Sequence, residues 1–450
     1  MKRRDVMKNL ALGTAAGVSG ILRDKNEAVA QTYSKATRGL PPLKITRVKS
    51  ILTAPHNAIM PYVIVKVETS EPGLYGIGCA SYFFRPLAVV TLIDKYMDPL
   101  FRGKNSNNIE DIWQDMLAGT NTRYGPALNS AMSGMDMALW DIKGKRANMP
   151  VYELFGGKSR FAVDCYAHAS GRDFAELEDR VKRYMEEGYR HIRIELHREA
   201  YGGAQDQEPD FKKAGFGGPD DFCPDPAGYA VTIPKMFEYI RNKCGDKIEL
   251  LHDMIYTRIQ PIDAINMIKK LEPYRPFFIE DPFTVEDKDY LKLLRQQTGV
   301  PIALGEKFIN PNTYVDLISG RLIDFIRCHI PYIGGLTPAR KIAAMGELHN
   351  VRTAWHGPAD NSPVGHAAHA HLDLNIWNFG IQERVIFRQE AIDVFPGTPT
   401  IKNGYMYVNE APGLGIDINE KLAAKFPLAE DHFSWQERNK RYNDGTIRRS

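Results

Sequence analysis

The sequence predicts an α/β protein in which a TIM-type (β/α)8 barrel follows a smaller α+β capping domain, and three observations carry that prediction. Three apolar runs, Leu250-Leu251-His252, Phe277-Phe278-Ile279 and Ile302-Ala303-Leu304-Gly305, end in Asp253, Glu280 and Glu306, which stand 27 and 26 residues apart. That interval is one strand, one helix and two loops, the repeat of a parallel barrel whose strand ends face the side where such folds keep their chemistry. Beyond Gly156-Gly157 strand and helix patterns alternate, whereas residues 43–90 read as an antiparallel meander. A chain of 450 residues also exceeds what one core organises, so two domains are expected.

In chain order, residues 1–30 stand apart. Arg3-Arg4-Asp5-Val6-Met7-Lys8, an apolar stretch over 9–22 and Ala28-Val29-Ala30 form a twin-arginine-type signal peptide cleaved before Gln31. The expected location is the periplasm; the alternative is a basic tail on a cytoplasmic enzyme. The stretch is too short and too rich in Gly and Ala for stable membrane insertion. Strands at 45–51, 62–69 and 75–80 are broken by Glu71-Pro72-Gly73, and helical patterns follow at 86–100, 109–117 and 131–145. These place the α+β domain at 43–157 and the barrel at 158–400. The barrel opens with a strand at 163–169, a helix at 174–187 and a strand at 191–196. Residues 197–226 are rich in Gly, Asp and Pro, as suits a lid or binding loop. After the acid-ending strands come a strand at 324–330, a helix at 338–350 and a strand at 351–357.

Composition excludes several classes. A hydrophobic share of 43% and a charged share of 25% are ordinary for a globular protein with a sizeable core. A net charge of +3 without a basic, aromatic-interleaved stripe argues against nucleic acid and leaves a small acidic substrate open. Cys79, Cys165, Cys223, Cys244 and Cys328 are scattered and odd in number, so they read as unpaired thiols. Each acid at a strand end reads singly as a solvated terminus or a helix cap. Three in phase repel one another unless a cation sits between them, and an all-oxygen set suits Mg²⁺ rather than zinc.

More specific motifs recur along the chain: Ala138-Leu139-Trp140-Asp141-Ile142-Lys143-Gly144-Lys145, Leu250-Leu251-His252-Asp253, Ile279-Glu280-Asp281, Leu304-Gly305-Glu306, His356-Gly357-Pro358-Ala359-Asp360 and Asn378-Phe379-Gly380-Ile381-Gln382-Glu383. In order and spacing they resemble the enolase superfamily, and within it the mannonate dehydratase-like group of acid-sugar dehydratases, over residues 45–425. The resemblance implies a modified (β/α)7β barrel under its cap, with a segment at 401–450 returning to the cap. It implies Mg²⁺ on Asp253, Glu280 and Glu306 and dehydration of a sugar acid, of the D-mannonate or D-gluconate kind, to the 2-keto-3-deoxy acid through an enediolate. In such sites a weakly acidic carbon proton becomes removable because the metal-bound carboxylate takes up the charge left behind. Arg193 and Tyr201 match the group's base pair, and His168, Glu306, Arg327, His356, Asp360 and Glu383 its substrate contacts. Other readings of the pair are a structural ion pair for Arg193 and a surface loop residue for Tyr201. A homo-oligomer is expected.

Three departures bear on the substrate. Ile255 stands where the group has a proton-carrying His, which leaves Tyr256 as the substitute. Ser81-Tyr82-Phe83-Phe84-Arg85 puts aromatics where the cap has a substrate-binding Asn, and Asp281-Pro282 follows Glu280 where the more active members have Ala. The alternatives are a racemase, an epimerase or another enediolate-forming enzyme, or a non-catalytic sugar-acid binding protein.

Overall fold

The computed structural model describes residues 42–56, 60–119, 121–201, 226–255 and 259–430. Residues 1–30, read above as a signal peptide, Cys223, Tyr256 and the loop beyond Tyr201 lie outside the described residues.

Strands β1 (Ile45–Thr53), β2 (Tyr62–Thr69) and β3 (Tyr75–Cys79) form the antiparallel meander. Their β-branched residues alternate, and Val63, Val65 and Val67 face the cap core. A helical run opens with α1 (Pro86–Thr91) and passes through a π-helical turn at Leu92–Met97 to Asp98–Phe101; α2 (Ile109–Ala118) follows. The sheet packs on α3 (Pro126–Ala147), which starts earlier than the pattern predicts because Pro126 at its first position follows Gly125 at φ 139°. Gly76 and Gly78 allow this approach: a Cβ there would stand 2.0 Å from the Ala138 carbonyl oxygen and 2.1 Å from that of Gly134. Helix α3 is buried on both sides, between this sheet and the barrel. Its acids are accordingly bonded, Asp141 accepting from the Ile77 and Leu414 amides and Asp136 from the Thr337 amide.

The barrel strands are β4 (Val163–Gly171), β5 (His191–Leu196), β6 (Glu249–Asp253), β7 (Phe278–Glu280), β8 (Ile302–Leu304), β9 (Phe325–Ile326), β10 (Arg352–Thr353) and β11 (Gln382–Glu383). They run parallel in that order; β11 pairs with β4, and a bridge from Thr353 to Phe379 carries the ring on from β10. Between them lie α4 (Phe174–Glu186), α5 (Pro226–Cys244), α6 (Pro261–Lys269), α7 (Tyr290–Gln297), α8 (Val315–Ser319), α9 (Ile330–Ile333), α10 (Leu336–Leu348) and α11 (Pro363–Asn375). Helices α9 and α10 share one connection, so seven helical connections join the eight strands and β11 closes against β4, a (β/α)7β arrangement. Tyr166, Leu251, Phe278, Ala303, Phe325, Ala354 and Ile381 fill the barrel interior as one layer.

The strands expected at 324–330 and 351–357 are much shorter. Past β9 the inward side chains are Arg327 and His329, and Pro331 opens α9, so the ladder dwindles to a single bridge between His329 and His356. The tail forms β12 (Thr400–Lys402) and β13 (Tyr405–Tyr407), which pairs with β4, and then α12 (Glu420–Ala423). Glu420 bonds the cap lysines Lys49 and Lys66 at 2.7 Å each. Among the described residues no helix is long and apolar enough to cross a membrane. Cys79, Cys165, Cys244 and Cys328 are free thiols.

Candidate active site

The two-residue period of a strand sends alternate side chains into the barrel, and at the carboxyl ends these are charged. Asp253 closes β6 and Glu280 closes β7, paired in register across the two strands. The Arg193 Nη1 on β5 lies 3.1 Å from Asp253 Oδ2 and 3.6 Å from Glu280 Oε2. On the other side Arg327 donates from Nε to Glu280 Oε1 at 2.5 Å, from Nη2 to Glu383 Oε2 at 2.6 Å and from Nη1 to the Ala354 carbonyl at 3.2 Å. The next residue, Asp281, takes φ 45°, which an Asp tolerates, and remains buried. Asp253, Glu280 and Asp281 thus offer oxygens within 4.8 Å of one another.

Burial and then the Glu280 charge push the Asp253 carboxyl well up, with Arg193 pulling against them. The same two causes raise Asp281 to about 7. Burial works against the charge on Arg193, but Asp253 and Glu280 outweigh it and hold the guanidinium firmly protonated. Buried acids this close are a poor arrangement without a cation. Glu280 Oε2 and Asp281 Oδ2 are moreover buried without a hydrogen-bond partner. Unsatisfied carboxylate oxygens in an all-oxygen cluster fit a hard dication such as Mg²⁺.

Glu306 is placed differently from the expectation that groups it with those acids. Gly305, at φ 145°, turns the chain after β8, and Glu306 Oε2 meets His356 Nε2 at 3.1 Å. Glu306 remains near enough to help raise Asp253. Burial alone would discharge His356, yet the Glu306 carboxylate overcomes it and raises the imidazole to about 9. His168 Nε2 lies 3.1 Å from Glu383 Oε1, and burial followed by Arg193 lowers its pKa. Glu383 accepts from the Gly357 amide at 2.9 Å, and against its burial Arg327 holds it well below the usual carboxylate range. Asp360 is buried with Oδ1 unpartnered, and burial raises it to about 6.

One expectation is corrected. Tyr201 does not join Arg193. The turn Arg198–Tyr201 folds over the outer side of the barrel, where the Tyr201 hydroxyl accepts from the Leu196 amide at 3.1 Å and its ring packs on Tyr229. Arg193 and Leu196 point to opposite faces of β5, so a turn that packs on Leu196 cannot reach the barrel interior. Arg327, expected to bind substrate, is fully buried and donates to Glu280, Glu383 and the Ala354 carbonyl, three of its five N–H groups being so used. Two residues to which sequence reading gives no part in the site are present as well, Asp281 among the acids and His329 against His356.

The cap closes the site from above. Tyr82 meets Tyr332 edge-on with centroids 5.5 Å apart. Asn129 of α3 donates to the Ile309 carbonyl at 2.7 Å and the Tyr332 carbonyl at 2.6 Å.

Comparison with known proteins agrees with this geometry. Residues 30–156 match the family described as mandelate racemase / muconate lactonizing enzyme, N-terminal domain, and residues 176–422 the family described as enolase C-terminal domain-like. The sequence is 49% identical over 424 residues to the D-galactonate dehydratase family member RspA of Pantoea ananatis, spanning 90% of this chain and 99% of that protein. It is 48% identical over 406 residues to a D-galactonate dehydratase family member of Musicola paradisiaca, spanning 87% and 96%. Among solved structures, an enolase from Pantoea ananatis with bound D-gluconate and Mg is similar at a TM-score of 0.83 and 49% identity, covering 91% of this chain and 100% of that one. A member of the enolase superfamily from Polaromonas is similar at 0.71 and 26% identity, covering 86% and 98%.

Proposed function

The chain belongs to the mandelate racemase/muconate lactonizing enzyme family of the enolase superfamily, and on that premise we propose that it is a Mg²⁺-dependent dehydratase of a sugar acid. The substrate is of the D-gluconate or D-mannonate kind and the product a 2-keto-3-deoxy acid. The observation that carries this reading is the meeting of Asp253, Glu280 and Asp281 oxygens within 4.8 Å at the strand ends. A dication held there neutralises the charge that gathers on the substrate carboxylate as its neighbouring carbon proton leaves. Asp253 and Glu280 hold it, and the third carboxylate is Glu306 or Asp281.

The remaining roles follow from chemistry. Arg193 stays protonated beside the acids and stabilises negative charge on the carbon 2 side. His168, kept neutral, and Glu383 and Asp360 accept from substrate hydroxyls, while His356 presents an N–H from Nε2. Ile255 has no exchangeable side-chain proton, so Tyr256 is the candidate to assist loss of the 3-hydroxyl. That Ile also favours a second reading, a racemase or epimerase working through the same proton abstraction, or a sugar-acid binding protein. Incubation of the Mg²⁺-loaded protein with a panel of aldonic acids separates them. A 2-keto product supports the dehydratase; exchange of the carbon 2 proton with D₂O alone supports the racemase; tight binding with neither supports the binding protein.

The twin-arginine pattern at Arg3-Arg4 supports export to the periplasm, and loss of the periplasmic pool in an Arg3→Lys, Arg4→Lys chain tests it. Exposed Phe161, Leu348 and Trp377, all just ahead of barrel strands, support a homo-oligomer. A monomer mass by light scattering is the outcome against it.

A further inference from the structure

Tyr332 has no role in the reading above. It stands in the one-turn helix α9, and the cap pins that turn twice. Asn129 donates to the Tyr332 carbonyl at 2.6 Å, and Trp113 Nε1 donates to the Gly334 carbonyl at 2.8 Å. The ring is held as well, edge-on against His329 with centroids 4.3 Å apart and against Tyr82 of the cap at 5.5 Å. The side chain is partly buried, yet its hydroxyl bonds to none of the described residues. The cap side chains that follow Tyr82 are the rings of Phe83 and Phe84, with centroids 3.9 Å apart.

A phenol hydroxyl drawn out of water usually finds a partner. Burial and then the Asp360 charge push the Tyr332 phenol well up, with Tyr82 and Glu306 adding to them, so the hydroxyl lies toward acids of the site. Asp360 Oδ1 is itself buried without a hydrogen-bond partner. A phenol that can donate and a carboxylate oxygen that can only accept, close together yet not bonded to each other, suit a substrate hydroxyl between them. Such a group accepts from the first and donates to the second. An acid whose carboxylate sits at the acid cluster on the strand ends has its other end toward the cap, where Tyr332 and Tyr82 meet. We infer that Tyr332 is a specificity-determining residue that binds the far end of a six-carbon sugar acid, its hydroxyl donating to a substrate hydroxyl on carbon 5 or 6 that donates in turn to Asp360. This rests on Asp360 facing a substrate hydroxyl, as proposed above.

The test is calorimetric binding of two acids to the Mg²⁺-loaded full chain. D-gluconate has the whole six-carbon chain, whereas L-threonate keeps the carboxylate and the hydroxyls on carbons 2 and 3 but lacks carbons 5 and 6. Tyr332→Phe removes the hydroxyl and keeps the ring that packs on His329 and Tyr82. The expected result is D-gluconate bound about 3- to 10-fold more weakly by Tyr332→Phe, with L-threonate within about twofold of the parent. A residue that only supports the fold would weaken both acids alike, whereas one in contact with the far hydroxyl couples to its removal. Equal changes for the two acids, or no change for either, overturn the inference. So does the selective loss if it appears in Tyr82→Phe and not in Tyr332→Phe, since that gives the contact to the other tyrosine. These outcomes, with D-gluconate bound by the parent, overturn this inference alone. A parent that binds neither acid overturns the sugar-acid reading and this inference with it.

Discussion

Replacing Arg327 by Met strips two buried carboxylates of one guanidinium while nearly keeping its length. Glu280 and Glu383 are both nearly or fully buried, at 0% and 2% exposure, so water cannot take over. Each keeps weaker partners: Glu280 has Arg193 at 3.6 Å, and Glu383 has the Gly357 amide at 2.9 Å and His168 Nε2 at 3.1 Å. The loss is therefore set near that of one broken buried pair, about 3–5 kcal/mol, rather than two. For a domain of barrel size this is a fall of about 6–20 °C in melting temperature. Mg²⁺ should narrow the gap. With one positive charge gone the acids bind the cation more tightly, and at about 100 times its Kd a ligand contributes about 2.7 kcal/mol. Melts of parent and Arg327→Met followed by circular dichroism, in EDTA and in saturating Mg²⁺, measure both effects. A variant within about 1 kcal/mol of the parent in EDTA, or a gap that Mg²⁺ leaves unchanged, refutes the reasoning.

Glu280→Gln should abolish Mg²⁺ binding by calorimetry while a cooperative melt is kept, and comparison of Asp281→Asn with Glu306→Gln shows which supplies the third carboxylate by which one weakens binding. His371 is buried and its pKa is lowered to about 4, chiefly by burial. Being neutral in the fold and chargeable at about 6.5 when unfolded, it contributes stability that is complete above about pH 6.5 and lost as pH falls toward 4, about 3 kcal/mol in all. His371→Gln should flatten that acid limb in urea titrations at pH 7 and 4.5. Gly78→Ala should cost about 3 kcal/mol or more, since its Cβ would stand 2.1 Å from the Gly134 carbonyl oxygen, and a melt within a degree of the parent speaks against the packing described.

Strands β2 and β5 are legible residue for residue because β-branched runs there end in clear turn signals. Strands β9 and β10 are overestimated from sequence, since a strand buried on both faces continues as apolar chain after its ladder stops. The start of α3 is written in Gly125-Pro126, a signal that the apolar periodicity alone does not carry. In the site, the βα interval exposes Asp253 and Glu280, but period two cannot place Asp281, whose positive φ folds it back beside Glu280. The parity of His329 with Arg327 is the signal that would have found it. Tyr201 is misplaced from sequence because spacing alone does not say to which side a short turn folds.

Asn129 directs both hydrogens of its side-chain amide at the loops that follow Glu306 and His329. Trp113 Nε1 on the Gly334 carbonyl and Asp136 on the Thr337 amide fasten the same end of the barrel to the cap. Swinging the cap away would exchange all of these buried bonds for bonds to water at once, at a net cost of about 0.5–1.5 kcal/mol for each. The cap is thus held over the acid-bearing end of the barrel by several bonds that have to be given up together before it can move.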